Sequence, residues 1–79
     1  MAPQLGEIRR ENGIAGQISY SVAVTYPGES ASTVQFVGST YGGPVTMVTA
    51  SGMQTHVDDP GRFGEFGPEW VRRFFADNG

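Results

Sequence analysis

Gly61, Gly64 and Gly67 recur at every third position of the stretch GRFGEFGPEWVRRFF (Gly61–Phe75), which then runs into Pro68, Trp70, Arg72 and Arg73. Glycine-rich loops opening a helix are where backbone N–H groups hold phosphate. The spacing meets neither phosphate fingerprint. The dinucleotide motif needs a different glycine interval after a strand in a βαβ unit, and the P-loop needs a Lys-Ser/Thr pair. The plainer account is that these glycines let Phe63 and Phe66 turn inward where the chain crosses a sheet. Trp70 with Arg72 and Arg73 could form a surface on which bases stack. At about 100° per residue, however, Trp70 shares a face with Phe74, away from both arginines. Tryptophan is therefore assigned to the core, while Arg62, Arg72 and Arg73 remain candidate partner contacts.

His56, Asp58, Asp59 and Glu65 are the residues closest to a metal or acid–base set. A lone histidine beside adjacent aspartates lacks zinc-site spacing, and the calcium-loop pattern is missing. His56 alternates with Thr55 and Val57 and is expected to face solvent. The serines (Ser19, Ser21, Ser30, Ser32, Ser39, Ser51) include no nucleophile elbow. A chain of 79 residues is also expected to have trouble enclosing a pocket of about 300 Å³ beside its core. Neither enzymatic activity, a metal nor a cofactor is expected.

The aromatic content carries more information. Tyr20, Tyr26, Tyr41, Phe63, Phe66, Trp70, Phe74 and Phe75 are many large rings for one small core. Rings left on a surface mark interaction sites, with Tyr and Trp common at their centres. Tyr20, and Tyr41 beside Gly42-Gly43, are the candidate contact rings.

The elements that position these residues follow from periodicity. Ile18, Tyr20, Val22, Val24 and Tyr26 alternate with polar or small neighbours, which predicts a half-buried strand over Gln17–Tyr26. Pro27-Gly28 ends it as a turn. A second strand is expected over Thr33–Ser39 with Val34 and Phe36 inward, a third over Val45–Ala50 and a fourth over Met53–Val57. The turn Ala50–Gly52 joins the last two. Asn12-Gly13 is a hairpin-type pair, so Glu7–Arg10 reads as a short first strand, with a frayed tail over 1–16 as the alternative. Residues 67–77 read as a helix: Pro68 suits a first position and Glu69 the first turn. Trp70, Val71, Phe74 and Phe75 form its apolar stripe, and Glu69 and Arg73 are spaced for an ion pair. Asn78-Gly79 supplies a stop.

Length sets one domain over 1–79, marginal in stability for its size. The chain has no cysteine, which removes disulfides and thiol chemistry. Its net charge is −3, and all five basic residues are arginines. That balance opposes sequence-independent nucleic-acid binding, which rests on clustered positive charge. The amino-terminal stretch has no apolar run for a signal peptide, and no segment approaches the roughly 20 apolar residues of a membrane span. A cytoplasmic location is the expectation.

The stretches STYGGPVTMVT and DPGRFGEFGPEWVRRFF are similar to segments of small uncharacterised proteins of actinobacteria and their bacteriophages. The resemblance covers about Thr40–Thr49 and Asp59–Phe75 and implies a GC-rich origin, consistent with arginine in place of lysine. It implies no activity and no catalytic residue.

The expected fold is α+β and mostly β: an antiparallel sheet of four to five strands, covered by one carboxy-terminal helix. A small SH3-like barrel is its closed alternative. The expected function is a non-enzymatic protein-interaction module that binds a host protein or pairs with itself as a homodimer. The strand Gln17–Tyr26 would lend its edge to self-pairing if the sheet is open. The alternatives are a nucleic-acid binder using Arg62, Arg72 and Arg73, or a small virion structural or assembly subunit.

Overall fold

The strongest alternation in the sequence lies at the middle of the sheet. In the computed structural model, which describes residues 2–78, five strands follow one another in chain order as an open antiparallel meander. They are β1 (Gln4–Asn12), β2 (Gln17–Thr25), β3 (Ser32–Ser39), β4 (Thr46–Val48) and β5 (Gln54–His56). A short 3-10 turn (Pro60–Phe63) and the helix α1 (Pro68–Asn78) complete the chain. The sheet is not a barrel: β1 and β5 are its two edges. The edge expected of Gln17–Tyr26 does not exist, because β2 is hydrogen-bonded to β1 on one side and β3 on the other.

Alternation decides which face is covered. Ile18, Tyr20, Val22 and Val24 lie opposite Gly38, Phe36, Val34 and Ser32, so one face of β2–β3 is apolar. On α1, Trp70, Val71 and Phe75 are buried and Phe74 packs against the same cluster. The rings of Trp70, Phe74 and Phe75 all meet Phe36 edge-on, at centroid distances of 5.4, 5.1 and 5.7 Å. Edge-to-face geometry places ring hydrogens against π clouds and adds about 0.5–1.5 kcal/mol per pair to area burial. Phe36 is thus the post on which the helix stands.

The first strand is longer than expected, nine residues instead of four. Its turn is displaced from Asn12-Gly13 to Ile14–Gln17: positive φ angles fall at Ala15 (56°) and Gly16 (79°), and Gln17 N–H donates to the Ile14 carbonyl at 3.2 Å. Asn12 consequently stays in the ladder opposite Ile18. β4 and β5 are shorter than the strands expected over Val45–Ala50 and Met53–Val57, at three residues each. The turn between them takes up Thr49–Met53, held by Thr49 N–H to the Met53 carbonyl (3.0 Å) and Gly52 N–H to the Thr49 carbonyl (2.9 Å). Pro27-Gly28 turns as expected, with Gly28 at φ 81°.

Of the three regularly spaced glycines, Gly64 is the one whose backbone requires glycine at the crossing over the sheet. Phe63 is buried and Phe66 packs partly buried on the core. Phe66 seats over Gly38, where an added Cβ would lie 2.8 Å from its ring. Gly64 adopts φ 84°, ψ −157°, a region essentially reserved for glycine. An alanine Cβ there would also sit 3.0 Å from Arg73 Nη1. Gly64→Ala is accordingly expected to lower stability by about 1–3 kcal/mol, read as a lower urea midpoint. An unchanged midpoint would show that the loop relaxes at no cost.

The helix starts where Val71 N–H donates to the Gly67 carbonyl at 3.2 Å, with Pro68 and Glu69 in the first turn. Gly79, half of the expected stop, lies outside the described residues. The Glu69–Arg73 pair does not form. Glu69 Oε1 instead accepts from Arg72 Nη1 at 2.7 Å, and Arg73 Nη1 turns back to the Phe63 carbonyl at 3.3 Å. Glu69 is already held by Arg72, which leaves Arg73 to the Phe63 carbonyl.

Candidate functional site

Two loops rich in glycine face each other across the covered side of the sheet and leave a cleft of about 590 Å³ between them. One wall is the connection from β3 to β4, carrying Ser39, Thr40, Tyr41, Gly42 and Gly43. The other is the crossing, carrying Pro60, Gly61, Gly64, Glu65 and Phe66. Ile18, Tyr20, Val45 and Trp70 form the floor, and Arg10 of β1 stands at the lip. The expectation concerned an enclosed pocket; this cleft is open, lies between surface loops and takes no volume from the core.

Local chemistry explains why it stays open. Thr40 N–H donates to the Gly16 carbonyl at 3.0 Å, which pins the first wall to the β1–β2 turn. Tyr41 N–H donates to Ser39 Oγ at 3.1 Å and Gly42 N–H to the Ser39 carbonyl at 3.2 Å. Gly42 and Gly43 then take φ angles of 84° and 93°, left-handed conformations that favour glycine in this wall. On the opposite side Trp70 Nε1 donates to the Pro60 carbonyl at 2.8 Å, fixing the crossing onto the helix. The floor is packed and aromatic: Tyr20 meets Phe66 edge-on at 5.1 Å, and Phe66 meets Trp70 at 5.2 Å.

The candidate residues fall in different places. Tyr41 is 86% exposed at the rim, its ring against the Cα of Gly16. Tyr20 is 3% exposed, and its expected role as a surface contact ring is corrected. It sits on the inner face between Ile18 and Val22, its ring edge-on to Phe66, and lines the cleft floor and a second hollow beside Gly67 and Pro68. Arg62 Nη2 pairs with Asp77 Oδ2 at 2.7 Å, with its guanidinium 5.2 Å from the Phe63 ring centroid. Arg62 and Arg73 line one shallow hollow beside Ala76 and Asp77, whereas Arg72 is bound to Glu69 and does not line it. The three arginines therefore do not converge on one face.

His56 is exposed, as its alternation implied, with Nδ1 3.2 Å from Thr46 Oγ1. It shares a hollow with Asp58 and Asp59, while Glu65 belongs to the other cleft, so the four residues are not one cluster. Among the described residues no helix is long and apolar enough to cross a membrane. No family model, curated protein or solved structure matches the chain.

Arg10 is the cleft residue that reading by motif overlooks; Glu65, grouped in the sequence with His56, Asp58 and Asp59, lines the cleft instead. The pointer to Arg10 was parity: on β1 it shares the inner face with Ile8, directly opposite Tyr20. A cation on the core side of an edge strand must reach open space, and here that space is the cleft.

Proposed function

We propose that this chain is a non-enzymatic protein-interaction module, an accessory protein of an actinobacterium or its phage acting in the cytoplasm. Its partner seats a side chain in the cleft between the Tyr41 loop and the Pro60–Phe66 crossing. The observation that carries this reading is the pairing of an exposed ring, Tyr41, with a preformed cleft of about 590 Å³ floored by aromatic and aliphatic side chains. Binding energy at interfaces concentrates on such rings beside desolvated pockets. A floor that is already packed loses little entropy when a partner docks.

Tyr41→Ala separates binding from folding, because a ring this exposed contributes little to the core. Its thermal midpoint is expected to stay within a degree or two of the parent, since surface substitutions fall within about 0.5 kcal/mol. Capture of the partner from an actinobacterial lysate, quantified by mass spectrometry, is expected to fall at least about tenfold, the 1.4 kcal/mol scale of an interface ring. Equal capture by parent and variant would move the site elsewhere. Duplex DNA at physiological salt is expected to bind weakly or not at all, given the net charge of −3 and the pairing of Arg62 and Arg72 with carboxylates. Micromolar binding lost on replacing Arg72 and Arg73 would favour the nucleic-acid reading instead.

A further inference from the structure

The two edges of the sheet differ in kind. β5 offers three residues, whereas β1 offers nine, and nothing pairs with its outer side among the described residues. β1 carries charge, which usually guards an edge against other strands. Its charges have an unusual arrangement. Arg9 and Glu11 lie on the face away from the helix, opposite Ser21 and Ser19, and Glu7, in the irregular segment before Ile8, meets Arg9 through Nε and Oε2 at 3.5 Å. The sign alternates from Glu7 to Arg9 to Glu11. Such a row repels a strand of uniform charge but is complementary to its own antiparallel copy.

We infer that β1 pairs with β1 of a second copy of this chain, antiparallel about a two-fold axis at Ile8, to join two meanders into one continuous sheet. The charges select the register. An axis at Ile8 sets Glu7 opposite the partner's Arg9 and Arg9 opposite the partner's Glu7, with Ile8 against its own symmetry mate. An axis at Arg9 would place the two Arg9 side chains face to face and Glu7 against Glu11, and an axis at Arg10 would pair Arg9 with the partner's Glu11 but set the two Arg10 side chains against each other. Pairing about Ile8 sets residues 4–7 of each chain against residues 9–12 of the other, so the ladder irregularity between Leu5 and Ile8 lies within the new seam. The Glu7–Arg9 pair is highly exposed in the single chain, with side chains 77% and 76% accessible, so exchanging partners requires no unfolding. This surface is separate from the Tyr41 cleft, and the inference does not depend on it.

Charge reversal tests the register directly. Sedimentation velocity of the intact chain is expected to show dimer at tens of micromolar. Glu7→Arg and Arg9→Glu each place like charges across both symmetric positions, and each alone is expected to weaken association about tenfold or more. An equimolar mixture of the two variants restores opposite charges at both positions and is expected to form a heterodimer. The double variant Glu7→Arg/Arg9→Glu is expected to pair with itself like the parent. Circular dichroism melts of each variant monitor folding. A parent that stays monomeric to several hundred micromolar overturns the inference. So do single variants that dimerise as the parent does, or a mixture that stays monomeric.

Discussion

A chain ending before Pro68 gives no cooperative thermal transition. The missing helix carries Trp70, Val71 and Phe75 at 1%, 0% and 5% exposure, with Phe74 against the same cluster. Each large side chain fully buried contributes roughly 1.5–3 kcal/mol. The total rivals the entire net stability expected of a domain this size, about 0.05–0.15 kcal/mol per residue. Removal also bares Phe36 and the inner face of β2–β3, which makes aggregation the expected fate in place of a soluble sheet. The measurement is a circular dichroism melt beside size-exclusion chromatography. A truncated chain melting cooperatively near the full-length midpoint would show that the meander holds itself together. Trp70→Phe is the graded control: it keeps a ring in the cluster and removes the 2.8 Å bond to the Pro60 carbonyl.

The second large effect is expected from the sheet side of the same contact. Phe36→Ala removes a ring that is 0% exposed and touches Trp70, Phe74 and Phe75 edge-on. Truncating a buried phenylalanine typically costs about 3–5 kcal/mol, part in lost transfer energy and part in the cavity left behind. In a small domain that is a large share of the whole, so a substantial unfolded fraction is expected at 37 °C. Phe36→Leu keeps most of the volume and is expected to cost less than about 1.5 kcal/mol. Urea melts of both variants with unchanged slope decide the matter. A loss below about 1 kcal/mol for Phe36→Ala would mean that the helix closes onto β3 by itself, and that Phe36 is not its anchor.

Much of this architecture was legible because it is local. Period-two alternation put Ile18, Tyr20, Val22 and Val24 on one face. Helical periodicity put Trp70 and Phe74 away from Arg72 and Arg73. Both readings hold, since the direction of a side chain follows from backbone geometry within a few residues. Tyr20 shows the same rule from the other side. Its place in the alternation already assigned it inward, and only the surplus of rings suggested a surface role. Pro27-Gly28 also turns where its residue types require.

What the tertiary structure decided involves residues distant in sequence. Alternation shows that β2 has one covered face, yet whether it is an edge depends on β1 reaching nine residues, which in turn depends on Ala15 and Gly16 making the turn in place of Asn12-Gly13. The arginines chose partners by proximity after folding: Arg62 found Asp77, and Arg73 found the Phe63 carbonyl in preference to Glu69. The cleft is decided the same way, since its walls, Ser39–Gly43 and Pro60–Phe66, meet only once the helix has fixed the crossing through Trp70. Periodicity reports which way a residue faces; the free energy of contacts between distant segments determines what it then meets.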